Sequence, residues 1–159
     1  MILTLPINFL SHTFKLLGAL SLALFLGACT PKPEYSEALE ALSLQFKTAN
    51  RAESIAPMLS LYHVEGCDEY TLTMLKGALI YELGLPVREV TFEPLSGAPE
   101  EAISYTYNDI SYGPTLPPTY RMKVSYALDD GFTSLYTIGQ TEDGTWKIVS
   151  AKPLTAPAI

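Results

Sequence analysis

The chain has 159 residues, 48% of them hydrophobic and 17% charged, and its formal net charge is −7. This composition excludes an intrinsically disordered chain. The acidic balance also argues against a nucleic-acid partner, which would need a basic surface, and against docking to anionic lipid headgroups by charge alone.

The amino-terminal residues 1–28 are predicted to be a signal peptide. Residues 16–28 form an apolar run without charge, preceded by Lys15. A membrane-spanning helix needs about 20 apolar residues, so this run is short for a span and matches the apolar region of a secretory signal. Residues 1–28 hold one cation and no acid, so the rest of the chain carries −8 and is long enough for one core.

The end of this run reads Leu26-Gly27-Ala28-Cys29. An ordinary secretory signal would place a small residue where Leu26 stands. The pattern resembles instead the lipobox of bacterial lipoproteins. The resemblance implies cleavage between Ala28 and Cys29, a diacylglyceryl thioether on the Cys29 thiol and an amino terminus acylated by a fatty acid such as palmitate. Thr30 after the cysteine implies the outer membrane of the cell envelope, facing the periplasm. A single transmembrane anchor and simple secretion are the alternatives.

The mature chain is predicted to begin with a lipidated tether, residues 29–34, in which two prolines oppose helix formation. A domain follows over residues 35–153, and residues 154–159 form a tail. Three helices are predicted at its start. The first has an apolar stripe, the second is short with Pro57 in its first turn, and the third is capped by Asp68 and stopped by Gly84. The stripe of the first comprises Leu39, Leu42, Phe46 and Ala49, and that of the third Leu72, Leu75, Leu79 and Leu83.

After Pro86 the apolar period changes to two, which predicts strands separated by turns. The predicted strands are 87–95, 102–109, 120–128, 132–139 and 145–151, with a proline-rich connector over 110–120 and glycine-containing turns at 129–131 and 141–144. Helices followed by strands indicate an α+β fold, with N-terminal helices packed on a curved antiparallel sheet of four to five strands.

The order of these elements and the final TWKIVSA strand resemble the NTF2-like and cystatin-like fold, and the chain is similar to small bacterial lipoproteins of this shape. In the NTF2-like fold a curved sheet wraps around a long helix. The resemblance covers residues 35–153. It implies that tyrosines on the inner face of the sheet can line a pocket.

Tyrosine is frequent, with ten in the chain. Four on the predicted strands are candidate residues for binding a small apolar ligand: Tyr105, Tyr107, Tyr126 and Tyr136. The alternative is that they are strand-favouring aromatics that pack across neighbouring strands. Asp109, the acid beside this group, is interpreted as part of a turn.

The segment HVEGCDE, residues 63–69, concentrates side chains that could bind a metal or activate a thiol. Zinc needs three or four ligands at paired or helical spacing, which this segment does not offer, and Asp68 is better explained as a helix cap. We therefore predict neither a metal nor a cofactor. Cys67 is interpreted as a small, partly buried apolar residue, with intermolecular pairing as the alternative.

The sequence contains no motif that supplies a general base with a positioned partner. We predict a membrane-anchored, non-catalytic domain that binds an envelope protein or a small apolar ligand. The first alternative is an NTF2-like hydrolase or isomerase with a tyrosine-lined pocket, which burial of Asp109 or His63 beside the tyrosines would favour. The second is a structural envelope component. Residues 114–118 are interpreted as a rigid connector, with a polyproline ligand as the alternative.

Overall fold

The computed structural model describes residues 36–154. The predicted signal peptide, its cleavage site, the tether and residues 155–159 of the tail lie outside the described residues. In chain order the elements are α1 (Glu37–Asn50), α2 (Ala56–Leu59), β1 (Tyr62–His63), α3 (Glu69–Glu82), β2 (Val87–Pro94), a 3-10 turn (Pro99–Glu101), β3 (Tyr105–Tyr107), β4 (Ile110–Pro114), β5 (Pro118–Tyr126), β6 (Thr133–Gln140), β7 (Trp146–Val149) and β8 (Ala151–Pro153). Among these residues no helix combines the length and the hydropathy that crossing a membrane requires.

Helix α1 confirms the predicted amphipathic stripe. All four of its predicted apolar residues are buried, because the helix lays this face on the core. Asn50, the last residue of α1, is also buried, and its side-chain amide donates to the Glu82 carbonyl at 2.9 Å. The amide of Gly84 donates in turn to the Asn50 carbonyl at 2.8 Å. The ends of α1 and α3 are therefore joined directly.

Helix α3 begins at the predicted cap and ends two residues before Gly84. The Asp68 carboxylate accepts a hydrogen bond from the Thr71 amide at 2.8 Å, and Gly84 has a positive φ of 82°. Of the predicted leucine stripe only Leu79 is fully buried, while the other three leucines are half-buried. One side of α3 remains open to solvent.

The strands form two sheets rather than the single antiparallel sheet expected. The larger sheet has the order β1-β7-β6-β5-β2, and the smaller has the order β3-β4-β8. The larger sheet is mixed, because β1 pairs with β7 in parallel while the other neighbours are antiparallel. The α+β class is thus confirmed, and the sheet architecture differs from the prediction.

Three segments differ from their predicted form. The end of the predicted second helix, Tyr62–His63, is strand β1. The predicted connector contains a strand, β4, and only residues 115–117 link it to β5. The predicted last strand is interrupted at Ser150, whose flanking strands β7 and β8 belong to different sheets. The Thr115 amide donates to the Ser150 carbonyl at 2.9 Å, and the Ser150 amide donates to the Thr115 hydroxyl at 3.1 Å. Ser150 is thus the point where the chain passes between sheets.

Strand β5 confirms the predicted alternation. Met122, Val124 and Tyr126 are fully buried, and both turns predicted around Gly131 and Gly144 are present with positive φ. The core lies between the helices and the larger sheet. Its buried members are Leu39, Leu42, Phe46, Ala49, Met58, Leu61, Tyr62, Leu79, Val90, Phe92, Met122, Val124, Tyr126, Ile138 and Ile148.

Candidate functional site

A cleft of about 560 Å³ opens between α3 and strand β3, and we call it the tyrosine cleft. Helix α3 forms one wall, β3 forms the other, and the floor comes from β1 and from the crossing at Ser150. None of the lining side chains is charged at neutral pH. The lining residues are Tyr62, Tyr70, Thr71, Met74, Leu75, Ala78, Tyr105, Thr106, Tyr107, Val149, Ser150 and Ala151.

The walls of the tyrosine cleft carry two stacked pairs of rings. Tyr70 stacks on Tyr107 with centroids 4.6 Å apart and planes 10° apart, and Tyr105 stacks on Tyr112 at 4.8 Å and 6°. Tyr70, Tyr105 and Tyr107 are nevertheless 41–42% exposed. A hydrogen bond with Tyr107 is the main cause that raises the pKa of Tyr70. Large rings that are both ordered against each other and open to solvent are available for a ligand.

The local sequence explains this placement. Strand periodicity puts Tyr105 and Tyr107 on one face of β3, and the register opposes Tyr105 to Tyr112 of β4. The two strands are joined by Asn108 and Asp109, whose φ values are 47° and 61°. Asn and Asp tolerate this left-handed region, which a two-residue hairpin turn of type I′ requires. The predicted turn at Asp109 is therefore confirmed, and that carboxylate is exposed.

Asp68 connects the start of α3 to the smaller sheet. The Tyr112 hydroxyl donates to Asp68 Oδ2 at 2.6 Å, while Asp68 Oδ1 caps α3 through the Thr71 amide. The hydrogen bond from Tyr112 is the main cause that lowers the pKa of Asp68, and the same bond raises the pKa of Tyr112 to about 12. The aromatic wall is therefore fixed to the start of the helix before any ligand arrives.

The four tyrosines predicted from the sequence lie in two places. Tyr105 and Tyr107 line the tyrosine cleft, whereas Tyr126 and Tyr136 pack in the larger sheet. Tyr126 is completely buried. The two places are connected by one ring contact: the Tyr62 ring on the cleft floor packs edge-on against the Tyr136 ring, with centroids 6.5 Å apart.

Tyr126 and Tyr136 belong to a polar network around Glu82. The Tyr126 hydroxyl donates to Glu82 Oε2 at 3.0 Å, the Tyr136 hydroxyl donates to the same oxygen, and Ser134 donates to Oε1 at 2.8 Å. Burial is the main cause that raises the pKa of Tyr126 to about 12 and that also raises the pKa of Tyr136. These hydroxyls therefore keep their protons at neutral pH and act as donors to the carboxylate.

Sequence reasoning missed Glu82. Its only sequence signal is its spacing, three residues after Leu79, which places the carboxylate on the buried side of α3. From sequence alone, a glutamate at the end of a helix is usually interpreted as a solvent-exposed residue. Only the three-dimensional pairing with strand β6 and with Tyr126 reveals its role.

The side chains of residues 63–69 point to different partners. His63 Nε2 lies 3.7 Å from Glu65 Oε2, and the buried His63 Nδ1 has no hydrogen-bond partner among the described residues. The Cys67 thiol donates to the Ala151 carbonyl at 3.2 Å, and burial raises its pKa. Over residues 36–154 no group of three or more His, Cys, Asp or Glu is arranged to hold a metal ion.

No family model matches this chain. No curated protein matches it in sequence either. The function is therefore argued from the residues and the geometry described above.

Proposed function

We propose that this is a lipid-anchored protein of the bacterial cell envelope whose α+β domain binds an apolar ligand or partner in the tyrosine cleft without performing chemistry. The lipobox at residues 26–29 supports the anchor, with the outer membrane facing the periplasm as its site. The exposed, stacked tyrosines support the binding role, and they are the observation that carries the proposal.

The tyrosine cleft is suited to binding because its walls are already held in place without a ligand. Two ring stacks and the bond between Asp68 and Tyr112 hold the walls in place, so little conformational entropy is lost when a ligand enters. The lining is uncharged, and such surface gains about 25 cal/mol for each Å² of apolar area removed from water. Tyrosine adds a hydroxyl that can orient a polar group of the ligand.

The anchor is proposed to be covalent lipid on Cys29. One acyl chain holds a protein only marginally, whereas two or three chains, at about 0.8 kcal/mol for each buried methylene, hold it stably. Replacement of Cys29 with Ser should move the protein out of the membrane fraction or leave it unprocessed. Cys67→Ser is the matched control and should remain in the membrane fraction with lipid attached.

We further propose that the domain is a variant of the NTF2-like or cystatin-like fold. Three helices that precede β2 and the strands after it, with residues of α1 in the core of the larger sheet, support this relationship. The parallel strand β1 and the separate sheet β3-β4-β8 are the features that such a relationship must accommodate.

A hydrolase or isomerase is the second candidate, and the network around Glu82 is the cluster of polar groups where its catalytic residues would have to lie. A catalytic base needs a free lone pair directed at the substrate and a pKa near the working pH. Both oxygens of Glu82 already accept hydrogen bonds, from Ser134 on one side and from two tyrosines on the other. Tyr126, whose pKa is raised to about 12, stays protonated at neutral pH and is likewise not available as a base. The network therefore fits a structural role better than a catalytic one.

Native mass spectrometry of the mature protein, gently extracted from its own cells, tests the proposal. Lipid on Cys29 should appear as added covalent mass, and a bound ligand or a second chain should appear as non-covalent mass. Tyr107→Ala should lose the non-covalent species. Tyr81→Ala, which changes a tyrosine of α3 that is 84% exposed and lies outside the tyrosine cleft, should retain it. A bare lipidated monomer would count against the binding role and favour a structural envelope component.

A further inference from the structure

We infer that the tyrosine cleft receives an extended, uncharged peptide segment of a partner protein, which pairs with β3 as an added strand. The inference rests on the proposed binding function and specifies the class of its ligand. It follows from the backbone of β3 rather than from its side chains alone.

Strand β3 is the last strand of its sheet, and its free edge has a defined pattern of backbone groups. Tyr107 and Ile110 flank the two-residue turn, so they form the hydrogen-bonded pair of the hairpin. Paired positions alternate along antiparallel strands, which makes Thr106 and Ser111 a pair without mutual hydrogen bonds. The amide and carbonyl of Thr106 therefore point away from β4, towards the free edge.

That free edge belongs to the tyrosine cleft. Thr106 is exposed and contributes to the cleft lining between the two tyrosines of β3. Across the cleft lie Met74 and Leu75 of α3. An extended segment placed here can satisfy both backbone groups of Thr106, while its alternate side chains contact the apolar wall of the helix. The edge of β3 can thus bind the backbone of such a segment, while α3 contacts its apolar side chains.

The uncharged lining of the tyrosine cleft and the short edge of β3 indicate which kind of molecule binds there. The uncharged lining favours a segment without charges, because a buried and unpaired charge is costly. A second copy of this chain is disfavoured, since residues 29–159 carry −8 and two copies would repel each other. A three-residue strand also offers only about 10 Å of edge for pairing. Pairing along so short an edge buries much less than the roughly 1,200 Å² that a stable dimer usually buries. A short uncharged segment of a different protein avoids the charge repulsion, and a peptide contact does not need the area of a stable dimer.

The test uses the full-length chain, expressed in a bacterial host and held in lipid nanodiscs so that detergent does not enter the cleft. Peptides are selected on it from a displayed library of random twelve-residue sequences, and the best is synthesised. Amide hydrogen exchange of Thr106 is measured by NMR with and without this peptide. The Thr106 amide should exchange at least tenfold more slowly in the complex, because it gains a hydrogen bond that it does not make to any residue of 36–154.

Two variants of Thr106 distinguish the contribution of its backbone amide to peptide binding from that of its side chain. Thr106→Pro removes the outward amide, which an edge strand tolerates, and should weaken peptide binding at least tenfold. Thr106→Val keeps the amide and the strand preference and should bind within about threefold of the original protein. The amide-exchange result needs no variant, so the inference stays testable if Thr106→Pro folds poorly.

Three results would overturn the inference: no library peptide binding with a Kd below about 1 mM, a bound peptide that leaves Thr106 exchange unchanged, or a well-folded Thr106→Pro variant that binds as tightly as before. If no peptide binds while a small native ligand is lost in Tyr107→Ala, the added strand is wrong and the proposed binding function stands. If Tyr107→Ala loses neither ligand nor peptide, both are wrong.

Discussion

The hydroxyl of Tyr112 donates a 2.6 Å hydrogen bond to the carboxylate of Asp68, which lies 44 residues earlier in the chain. The same carboxylate caps α3. One side chain therefore fixes the smaller sheet to the helix that faces it across the tyrosine cleft.

Asp68→Ala should destabilise the domain. The change removes the helix cap, which costs about 0.5–2 kcal/mol, and it also leaves the buried Tyr112 hydroxyl without its acceptor. Asp68→Asn retains a cap and an acceptor and should be milder. Urea unfolding followed by circular dichroism measures both variants. Equal stabilities for Asp68→Ala and the original protein would show that the pair does not join sheet and helix.

Asp68 should also contribute to the acid limb of the stability curve. Its pKa is lowered in the folded protein, first by the bond from Tyr112, so its contribution is complete above the unfolded value of about 3.9 and is lost as the pH falls through the folded value. Asp68→Asn should therefore lose stability less steeply than the original protein below about pH 4. Melting temperatures between pH 2 and pH 6 provide the comparison, and parallel curves would contradict it.

Glu82→Ala should cost about 2–4 kcal/mol of unfolding free energy, because three hydroxyl donors lose their acceptor within a well-packed region. Glu82→Gln keeps one oxygen acceptor and should cost less. Glu89→Ala, on an exposed position of β2, is the control and should stay within about 0.5 kcal/mol. Chemical denaturation gives the free energy of unfolding of the three variants. If Glu82→Ala leaves that free energy unchanged, the network does not have the structural role assigned to it.

Alkaline titration should reveal two classes of tyrosine. The pKa values of Tyr112 and Tyr126 are raised to about 12, the first mainly by its bond to Asp68 and the second mainly by burial. A raised folded pKa contributes stability that is complete below the unfolded value of about 10 and is lost as the pH rises towards 12. Absorbance at 295 nm should therefore rise in two steps. A single step near pH 10, with the fold intact, would contradict these environments.

Two glycines should respond oppositely to alanine. A Cβ built at Gly139 would lie 2.4 Å from the Pro117 carbonyl oxygen, so Gly139→Ala forces the backbone apart and should cost about 1–3 kcal/mol. A Cβ at Gly77, within α3, meets nothing within 4 Å, and Gly77→Ala should stabilise by about 0.5–1 kcal/mol. Thermal melts of both variants test the pair, and a shift of the same sign in each would refute it.

Features set by neighbouring residues could be predicted from the sequence. The stripe of α1, the cap at Asp68 and the alternation of β5 each arise from spacing within one element, and each is confirmed. The turn at Asn108 and Asp109 is similar, because its residue types suit the backbone that it requires.

Features that depend on distant partners could not be predicted. The residue types around Ser150 do not mark it as the point where one strand leaves its sheet, because the segment 145–151 resembles a single strand. Periodicity also placed Tyr105 and Tyr107 on a common face without showing that this face belongs to a second sheet. Glu82 becomes notable only when Tyr126 and Tyr136 reach it from strands more than forty residues away.

The position of β7 has a consequence for the timing of folding. β7 lies between β1 and β6, and Tyr62 of β1 is in register with Ile148, near the end of the chain. During synthesis β1 therefore has no partner strand, and β6 keeps an open edge, until Trp146–Val149 emerges. A chain truncated before this strand would expose two unpaired edges, which template aggregation, so β7 is the strand that completes the larger sheet.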